Sequence, residues 1–135
     1  MRIALDTNVL VYAEGVNGDD RAFRVRRYLE ECADDEKILP VQTLAELFTV
    51  LTRKAKWPAS RARASVLAWR AACEVVDTTD ATLLEAMEIA EAHQFSLWDS
   101  LVLATAAQAR CRVVVSEDMH AGFTWRGVEI RTPFG

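Results

Sequence analysis

Short apolar runs alternate with longer stretches of helical periodicity along the whole chain. The apolar runs predict strands over residues 3–5, 37–39, 74–76, 112–116 and 128–131. The run 112–116 is rich in β-branched residues and does not alternate with polar ones, which is typical of a strand buried on both faces of a sheet. Helices are predicted between the strands, over residues 9–13, 19–33, 41–54, 60–73, 80–93 and 96–110. This alternation indicates a three-layer α/β/α fold around a short, mostly parallel central sheet.

The apolar positions of three helices predict which faces are buried. Helix 96–110 is apolar almost all round, so we expect it to lie centrally. The inward residues of helix 41–54 are predicted to be Leu44, Leu47, Phe48 and Leu51. Those of helix 80–93 are predicted to be Leu83, Leu84, Met87 and Ala90. We expect Thr79 or Asp80 to cap helix 80–93, and Asp19 or Asp20 to cap helix 19–33.

Length and composition predict one globular domain over residues 1–135. Hydrophobic residues make up 51% and charged residues 27%, and no apolar run approaches the ~20 residues that cross a bilayer. The first residues lack the pattern of a secretory signal. Cys32, Cys73 and Cys111 are odd in number and widely spaced, which favours a reducing cytoplasm over a disulfide frame. His93 and His120 are interpreted as solvated residues, too far apart for a zinc centre.

The formal net charge of −4 hides an uneven distribution of basic residues. Residues 53–73 contain no acid and carry Arg53, Lys54, Lys56, Arg61, Arg63 and Arg70. A second basic cluster comprises Arg21, Arg24, Arg26 and Arg27. Such clusters can follow a phosphate backbone, and they can equally solvate helix faces. The charge pattern alone leaves both interpretations open.

Two acidic residues follow predicted strands directly. Asp6 ends the run 3–5, and Asp118 comes just after the run 112–116. In a parallel sheet, the carboxyl ends of the strands border the crevice where ligands bind. We therefore place both carboxylates at the mouth of a site, with a turn or helix-cap role as the alternative for Asp118.

Two further acidic residues lie on predicted helices. Asp99 shares a face with apolar positions of its helix, where an ionised group costs several kcal/mol (order of magnitude) unless a cation meets it. Ser96 with Asp99, and Thr43 with Glu46, also fit the capping-box pattern. A cap is worth only about 1 kcal/mol, so we favour the site role for Asp99. For Glu46 considered alone, a cap or surface role is the commoner one.

The four acids together predict a particular chemistry. Like charges in one pocket cannot all ionise in a low dielectric without a counter-ion. Oxygen ligands without thiolate or imidazole suit Mg²⁺ or Mn²⁺, which usually meet a substrate through phosphate oxygens. Metal-assisted hydrolysis of a phosphodiester is therefore the predicted reaction.

Four motifs and a closing segment follow one another along the chain. The opening motif is Leu-Asp-Thr-Asn-Val-Leu-Val-Tyr at residues 5–12. It is followed by Leu-Ala-Glu at 44–46, Leu-Trp-Asp-Ser-Leu-Val-Leu-Ala-Thr-Ala at 97–106, Ser-Glu-Asp at 116–118 and the closing segment at 127–134. In this order and spacing the chain resembles the PIN-domain ribonucleases, and more narrowly the VapC-type toxins of toxin–antitoxin pairs, over its whole length.

The resemblance implies a PIN-like domain whose acidic quartet holds one or two Mg²⁺ or Mn²⁺ ions, namely Asp6, Glu46, Asp99 and Asp118. It also implies that Asn8 positions the first acid or the phosphate, and that Ser116 supplies a hydroxyl near the fourth acid. Local hydrogen bonding to the backbone is the alternative for Asn8 and Ser116.

The resemblance further implies an endoribonuclease toxin that leaves a 5′-phosphate and a 3′-hydroxyl. Its partners would be an RNA substrate, a cognate antitoxin encoded alongside, and a second copy of the chain in a homodimer. The basic residues expected to contact RNA are Arg53, Lys54, Lys56, Arg61 and Arg63.

Two other hypotheses compete with this one. A phosphoaspartyl enzyme needs either a second Asp where Asn8 stands or a lysine after a late strand, and Lys56 is the last lysine of the chain. The sequence thus disfavours that class. An RNA- or protein-binding module that kept the fold and lost the chemistry remains an alternative, although the intact acids count against it.

Overall fold

The structure is a computed structural model that describes residues 1–134, so that Gly135 of the predicted domain lies outside the described residues. Its elements in chain order are β1 (Arg2–Leu5), α1 (Thr7–Ala13), α2 (Asp19–Glu31), β2 (Glu36–Pro40), α3 (Val41–Arg53), α4 (Ala59–Ala72), β3 (Glu74–Val76), α5 (Asp80–His93), α6 (Leu97–Gln108), β4 (Val113–Val115), β5 (Thr124–Trp125) and β6 (Val128–Arg131). All predicted helices and strands are present, with ends within two residues of the predicted ones. Strand β5 was missed because two residues are too few to show a period.

The six strands form one sheet in the order β3-β2-β1-β4-β6-β5. Neighbours pair in parallel except β5, which pairs antiparallel with β6. After β1, the chain forms β2 and β3 on one side of β1, and it later forms β4 and β6 on the other side. The boundary between β1 and β4 is therefore a topological switch point, where a crevice opens at the carboxyl ends of the strands.

The central strands send alternate side chains to opposite helix layers. Ile3 and Leu5 of β1 pack in a cluster with buried residues of α1, α2, α3 and α4. Ala4 of β1 and Val114 of β4 pack in a second cluster with α5 and α6. The three residues of β4 are all buried, which explains its unalternating pattern. The three-layer α/β/α arrangement with a mostly parallel sheet is confirmed.

Helix α6 is central, as predicted. Seven consecutive residues, 100–106, are buried within it. Burial on all sides explains why its sequence shows little helical amphipathicity. Even so, none of the helices within residues 1–134 is long and apolar enough to cross a membrane.

The predicted inward face of α5 is wrong. Leu83, Leu84 and Met87 are 37%, 58% and 46% exposed, whereas the buried residues of α5 are Thr82, Ala86 and Ile89. Two polar contacts fix the rotation of the helix: Thr82 forms a capping box with Thr79, and its hydroxyl donates to Gln108 of α6. A pattern of hydrophobic residues carries no information on such hydrogen bonds. In addition, small residues allow α5 to lie close to α6.

Two helix starts also differ from the predicted ones. Gly18 precedes α2 as its N-cap without a side-chain hydrogen bond, so Asp19 and Asp20 lie in the first turn. There their negative charges interact favourably with the positive end of the helix dipole. Helix α3 follows Pro40 directly, and the Thr43 hydroxyl donates to the Pro40 carbonyl over 2.8 Å. Glu46 is thus beyond the first turn of α3, and the capping-box alternative for it is wrong.

The buried face of α5 predicts that two side-chain truncations in this helix differ in their effect on the free energy of unfolding. We expect Ile89→Ala to lower the free energy of unfolding by about 2–5 kcal/mol, because it leaves a cavity in the core. Leu84→Ala should cost less than about 1 kcal/mol, because that side chain is mostly in water. Urea denaturation of the two variants measures both values. Equal decreases in the free energy of unfolding would contradict the assignment of the buried face of α5.

Candidate active site

Asp6 stands where β1 ends at the switch point. Its backbone N–H donates to the Val115 carbonyl over 3.0 Å, which continues the pairing of β1 with β4. Its side chain then serves as the N-cap of α1, because Oδ1 accepts from the Thr7 N–H over 2.8 Å. The residue is only 7% exposed. The strand and the helix together hold the carboxylate in one orientation.

The second oxygen of Asp6 accepts hydrogen bonds from the two predicted supporting residues. Ser116, which follows β4 and is fully buried, donates from Oγ to Asp6 Oδ2 over 2.8 Å. Asn8 lies in the first turn of α1, and its Nδ2 is 3.4 Å from Asp6 Oδ2 and 3.2 Å from Asp118 Oδ2. Asn8 therefore connects the first predicted acid to the fourth.

Asn8 and Ser116 also bind the backbone of the loop that carries Asp118. Ser116 Oγ accepts from the N–H groups of Asp118 and Met119 over 3.2 and 3.3 Å. Asn8 Oδ1 accepts from the Glu117 N–H over 3.2 Å. The same two side chains thus orient the carboxylates and shape the loop, so the two roles considered for them coexist.

Glu46 comes from the middle of α3 and Asp99 from the first turn of α6, on other sides of the crevice. Gln42 donates from Nε2 to Glu46 Oε1 over 2.7 Å and to the Trp98 carbonyl over 3.3 Å, which joins α3 to the first turn of α6. Ser96 is the N-cap of α6, and its Oγ accepts from the Asp99 N–H over 3.1 Å. The cap predicted as an alternative at Ser96 is present, and Asp99 still borders the crevice.

All four predicted acids line a single cavity of about 270 Å³. The other lining residues are Thr7, Asn8, Val11, Tyr12, Asn17, Val50 and Lys54. Ser116 lies beneath this acidic cavity and touches it through Asp6. Sequence reasoning missed Thr7, Tyr12 and Asn17; the first two belong to the opening motif, whereas Asn17 lies in a loop without a signal of its own.

Burial and like charges act together on Asp6. Burial raises its pKa from an ordinary 3.8 to about 6, against the hydrogen bonds from Ser116 and the Thr7 N–H, which lower it. The charges of Asp99 and Glu46 contribute to the same rise. Burial also raises the pKa of Asp99, and the charge of Asp118 adds to that effect. These shifts indicate carboxylates that require a cation to remain ionised together.

The donor set fits a hard divalent cation. It consists of carboxylate and amide oxygens, the ligands that Mg²⁺ and Mn²⁺ prefer. Within residues 1–134, however, no three Asp, Glu, His or Cys side chains are gathered closely enough to form a compact metal centre.

The basic residues of the stretch 53–73 do not all line the acidic cavity. Lys54, at the C-terminal end of α3, lines the acidic cavity. The Arg61 guanidinium lies 3.7 Å from the centre of the Trp57 ring. Arg63 lines a separate, largely apolar groove between α3 and α4. Arg53 and Lys56 are exposed. Only Lys54 of the five predicted RNA contacts borders the acids.

The second basic cluster is engaged within the fold. Arg21 donates to the Tyr12 hydroxyl over 2.7 Å and forms an ion pair with Glu117, which also accepts from Tyr12. Arg24 donates to the Phe134 carbonyl, and Arg26 to that of Ala13. Arg27 pairs with Glu31 one helical turn on. These contacts brace α2 against α1 and the C-terminal segment.

The sequence matches the model of a protein family, and the fold matches solved structures. The family model of the PIN domain matches residues 3–121, so the chain belongs to the PIN domain family. No curated protein sequence matches the chain.

The solved structures that share the fold include the following three. Rickettsia felis VapBC2 bound to a DNA fragment from its promoter is 18% identical with a TM-score of 0.72, and 98% of each chain is covered. DNA-bound VapBC from Salmonella typhimurium is 19% identical with a TM-score of 0.72 and the same coverage. Mycobacterium tuberculosis VapC20, a toxin that cleaves the sarcin–ricin loop, is 21% identical with a TM-score of 0.66, covering 83% of this chain and 86% of its own. At these identities the likeness establishes the fold.

The raised pKa of Asp6 predicts how the stability of the metal-free protein depends on pH. The folded state binds the proton on Asp6 more tightly than the unfolded state does, so the contribution of Asp6 to stability is fully present below the unfolded pKa and is lost as the pH rises from about 4 to about 7. The difference between 3.8 and about 6 corresponds to a loss of about 3 kcal/mol. Urea denaturation in EDTA at several pH values measures it.

Asp6→Asn should remove most of this pH dependence, because the amide does not titrate. Asp34→Asn is the matched control, since Asp34 is an exposed loop residue outside the cavity lining. A wild-type profile that is flat over this range would contradict the electrostatic account of the site.

Proposed function

We propose that the chain is a Mg²⁺- or Mn²⁺-dependent endoribonuclease that acts as the toxin of a toxin–antitoxin pair. One observation carries the proposal: four carboxylates from β1, α3, α6 and the loop after β4 border one cavity at the switch point. Membership of the PIN domain family supports a nuclease function.

Asp6, Glu46, Asp99 and Asp118 are the residues that would hold the metal. When bound, a divalent cation lowers the pKa of a water and stabilises negative charge on phosphate oxygens. The protein contributes orientation: Asp6 is fixed by three hydrogen bonds from Thr7, Ser116 and Asn8. Rigid carboxylates need no reorganisation when charge moves in the reaction.

Lys54 supplies the positive charge at the edge of the acidic cavity. Because the other lining residues are acidic or neutral, Lys54 is suited to receive a substrate phosphate beside the metal. Arg53, Lys56, Arg61 and Arg63 are outside the cavity lining and would contact the RNA away from the reacting phosphate.

The proposed partners follow from the proteins that share the fold. The neighbours from Rickettsia felis and Salmonella typhimurium are VapBC assemblies, and both are bound to DNA. We infer a cognate antitoxin as partner of this chain, together with a homodimer and a cytoplasmic location. VapC20 cleaves the sarcin–ricin loop, which supports RNA as the class of substrate.

A catalytically silent binding module is the second candidate, and metal dependence separates it from the nuclease. The module would bind RNA equally with and without EDTA and would never cut it. The nuclease would cut only when Mg²⁺ or Mn²⁺ is present.

Replacing single carboxylates tests the proposed mechanism. Asp6→Asn and Asp118→Asn should each lower the rate of RNA cleavage by at least about a hundredfold, because each removes a metal-binding charge. Gel analysis of a labelled RNA over time measures the rate. The same variants should lose the rise in melting temperature that Mg²⁺ gives the wild type.

Asp34→Asn is again the control and should cleave and respond to Mg²⁺ as the wild type does. Wild-type cleavage by either cavity variant, with an unaltered response to the metal, would refute the quartet.

The position of Lys54 predicts that it matters more for RNA binding than Arg63 does. Lys54→Ala should weaken binding and reduce the slope of log K against log salt by about 0.7, the value for one phosphate contact with a single strand. Arg63→Ala should change the slope less, because Arg63 lies in the separate groove. Fluorescence anisotropy at several salt concentrations measures the RNA affinity and its salt dependence for both variants. Equal slopes for the two variants would count against a phosphate contact by Lys54.

A further inference from the structure

A smaller pocket adjoins the acidic cavity at the loop after β4. It has a volume of about 130 Å³, and it shares Asp99 and Asp118 with the acidic cavity. Its remaining lining residues, which define the side pocket, are Gln94, Phe95, Ser96, Met119 and His120. Any group in the side pocket is therefore next to the carboxylates that the proposed reaction uses.

An aromatic stack forms one wall of the side pocket. The rings of Phe95 and His120 are stacked with centroids 5.6 Å apart and planes inclined by only 13°. On the inner side, Phe95 packs against Phe123 with centroids 4.8 Å apart. His120 is exposed, whereas Phe95 is half-buried, so the imidazole is the outer member of the stack. A flat ring can extend such a stack, and base–aromatic stacking is the usual way proteins hold single-stranded RNA.

Gln94 brings an amide to the same pocket in a conformation that glycine adopts more easily. It ends α5 with φ 58° and ψ 33°, in the left-handed region, and its N–H donates to the Ala90 carbonyl. Glycine is the usual residue at such a helix end. The glutamine side chain therefore brings a donor and an acceptor to the pocket at a position where the backbone does not favour it.

The charges around the side pocket favour a neutral occupant over an anion. Asp99 and Asp118 border it, so a phosphate there would face two carboxylates. A nucleobase carries no charge, offers hydrogen-bonding edges to Gln94 and Ser96, and presents a face to His120. The small volume suits one ring system better than a length of chain.

We propose that the side pocket binds the base of a nucleotide adjacent to the scissile phosphate of single-stranded RNA. His120 stacks on the base, and Gln94 contacts its edge. The inference deepens the proposed endoribonuclease function and rests on it. A nucleotide whose phosphate lies at the four acids is tethered within reach of the side pocket, which favours RNA over a peptide as the occupant.

Binding of a short single-stranded RNA tests the assignment in the Asp6→Asn background, where cleavage does not interfere. His120→Ala should weaken binding about tenfold, through loss of one stacked base. His120→Phe should restore it, because it keeps a flat ring. Gln94→Gly should weaken binding while leaving the melting temperature unchanged or higher, because glycine relieves the left-handed backbone. His93→Ala is the matched control, since His93 contacts Phe123 and Trp125 outside the pocket.

A set of RNAs, each lacking one base, locates the contact. We expect one RNA position at which removing the base weakens binding to Asp6→Asn. At that position the same removal should not weaken binding further when the protein also carries His120→Ala. In cleavage assays with the wild-type acids, His120→Ala should raise KM more than it lowers kcat.

Several outcomes overturn the subsite. The first is unchanged RNA affinity in both pocket variants. The second is an equal effect of His120→Ala on intact and base-lacking RNAs. The third is unchanged RNA affinity with lost affinity for an arginine-containing peptide, which would assign the pocket to a protein partner. Normal metal-dependent cleavage alongside any of these would leave the proposed nuclease function intact, whereas absence of RNA cleavage by the wild type would remove both.

Discussion

The hydrogen bond from Ser116 Oγ to Asp6 Oδ2 joins the carboxyl ends of β1 and β4 at the switch point of the sheet. Both residues are buried, so each needs the other to satisfy its polar atoms. The same hydroxyl accepts from the backbone of Asp118 and Met119, and Asp6 also caps α1. One buried contact therefore sets the direction of a strand end, a helix start and an acidic loop.

The arrangement places the carboxylate proposed to bind the metal, Asp6, at a position that the fold holds tightly. Asp6 is costly to ionise, as its raised pKa shows, and the neighbouring carboxylates add to that cost. The hydrophobic layers on both faces of the sheet hold these charges in place, because moving β1 would disturb both core clusters. A site that needs a cation for full ionisation couples the binding of that cation to the stability of the whole domain.

Much of this could be predicted from the sequence, for reasons visible in particular residues. The buried strand β4 and the central helix α6 carry strong apolar patterns, and the acids after β1 and β4 follow from the rule about strand ends. The face of α5 could not be predicted, because Thr79, Thr82 and Gln108 fix it through hydrogen bonds. The stacking of His120 on Phe95 could not be predicted, because it brings together residues twenty-five positions apart.

The ends of the sheet carry a consequence for behaviour at high concentration. The outermost strands, β3 and β5, have three and two residues. An exposed strand edge offers unpaired backbone groups to other molecules. The risk of aggregation through strand pairing grows with the length of that edge. With so little edge to offer, the folded chain resists ordered self-association through its backbone, whatever assembly its side chains favour.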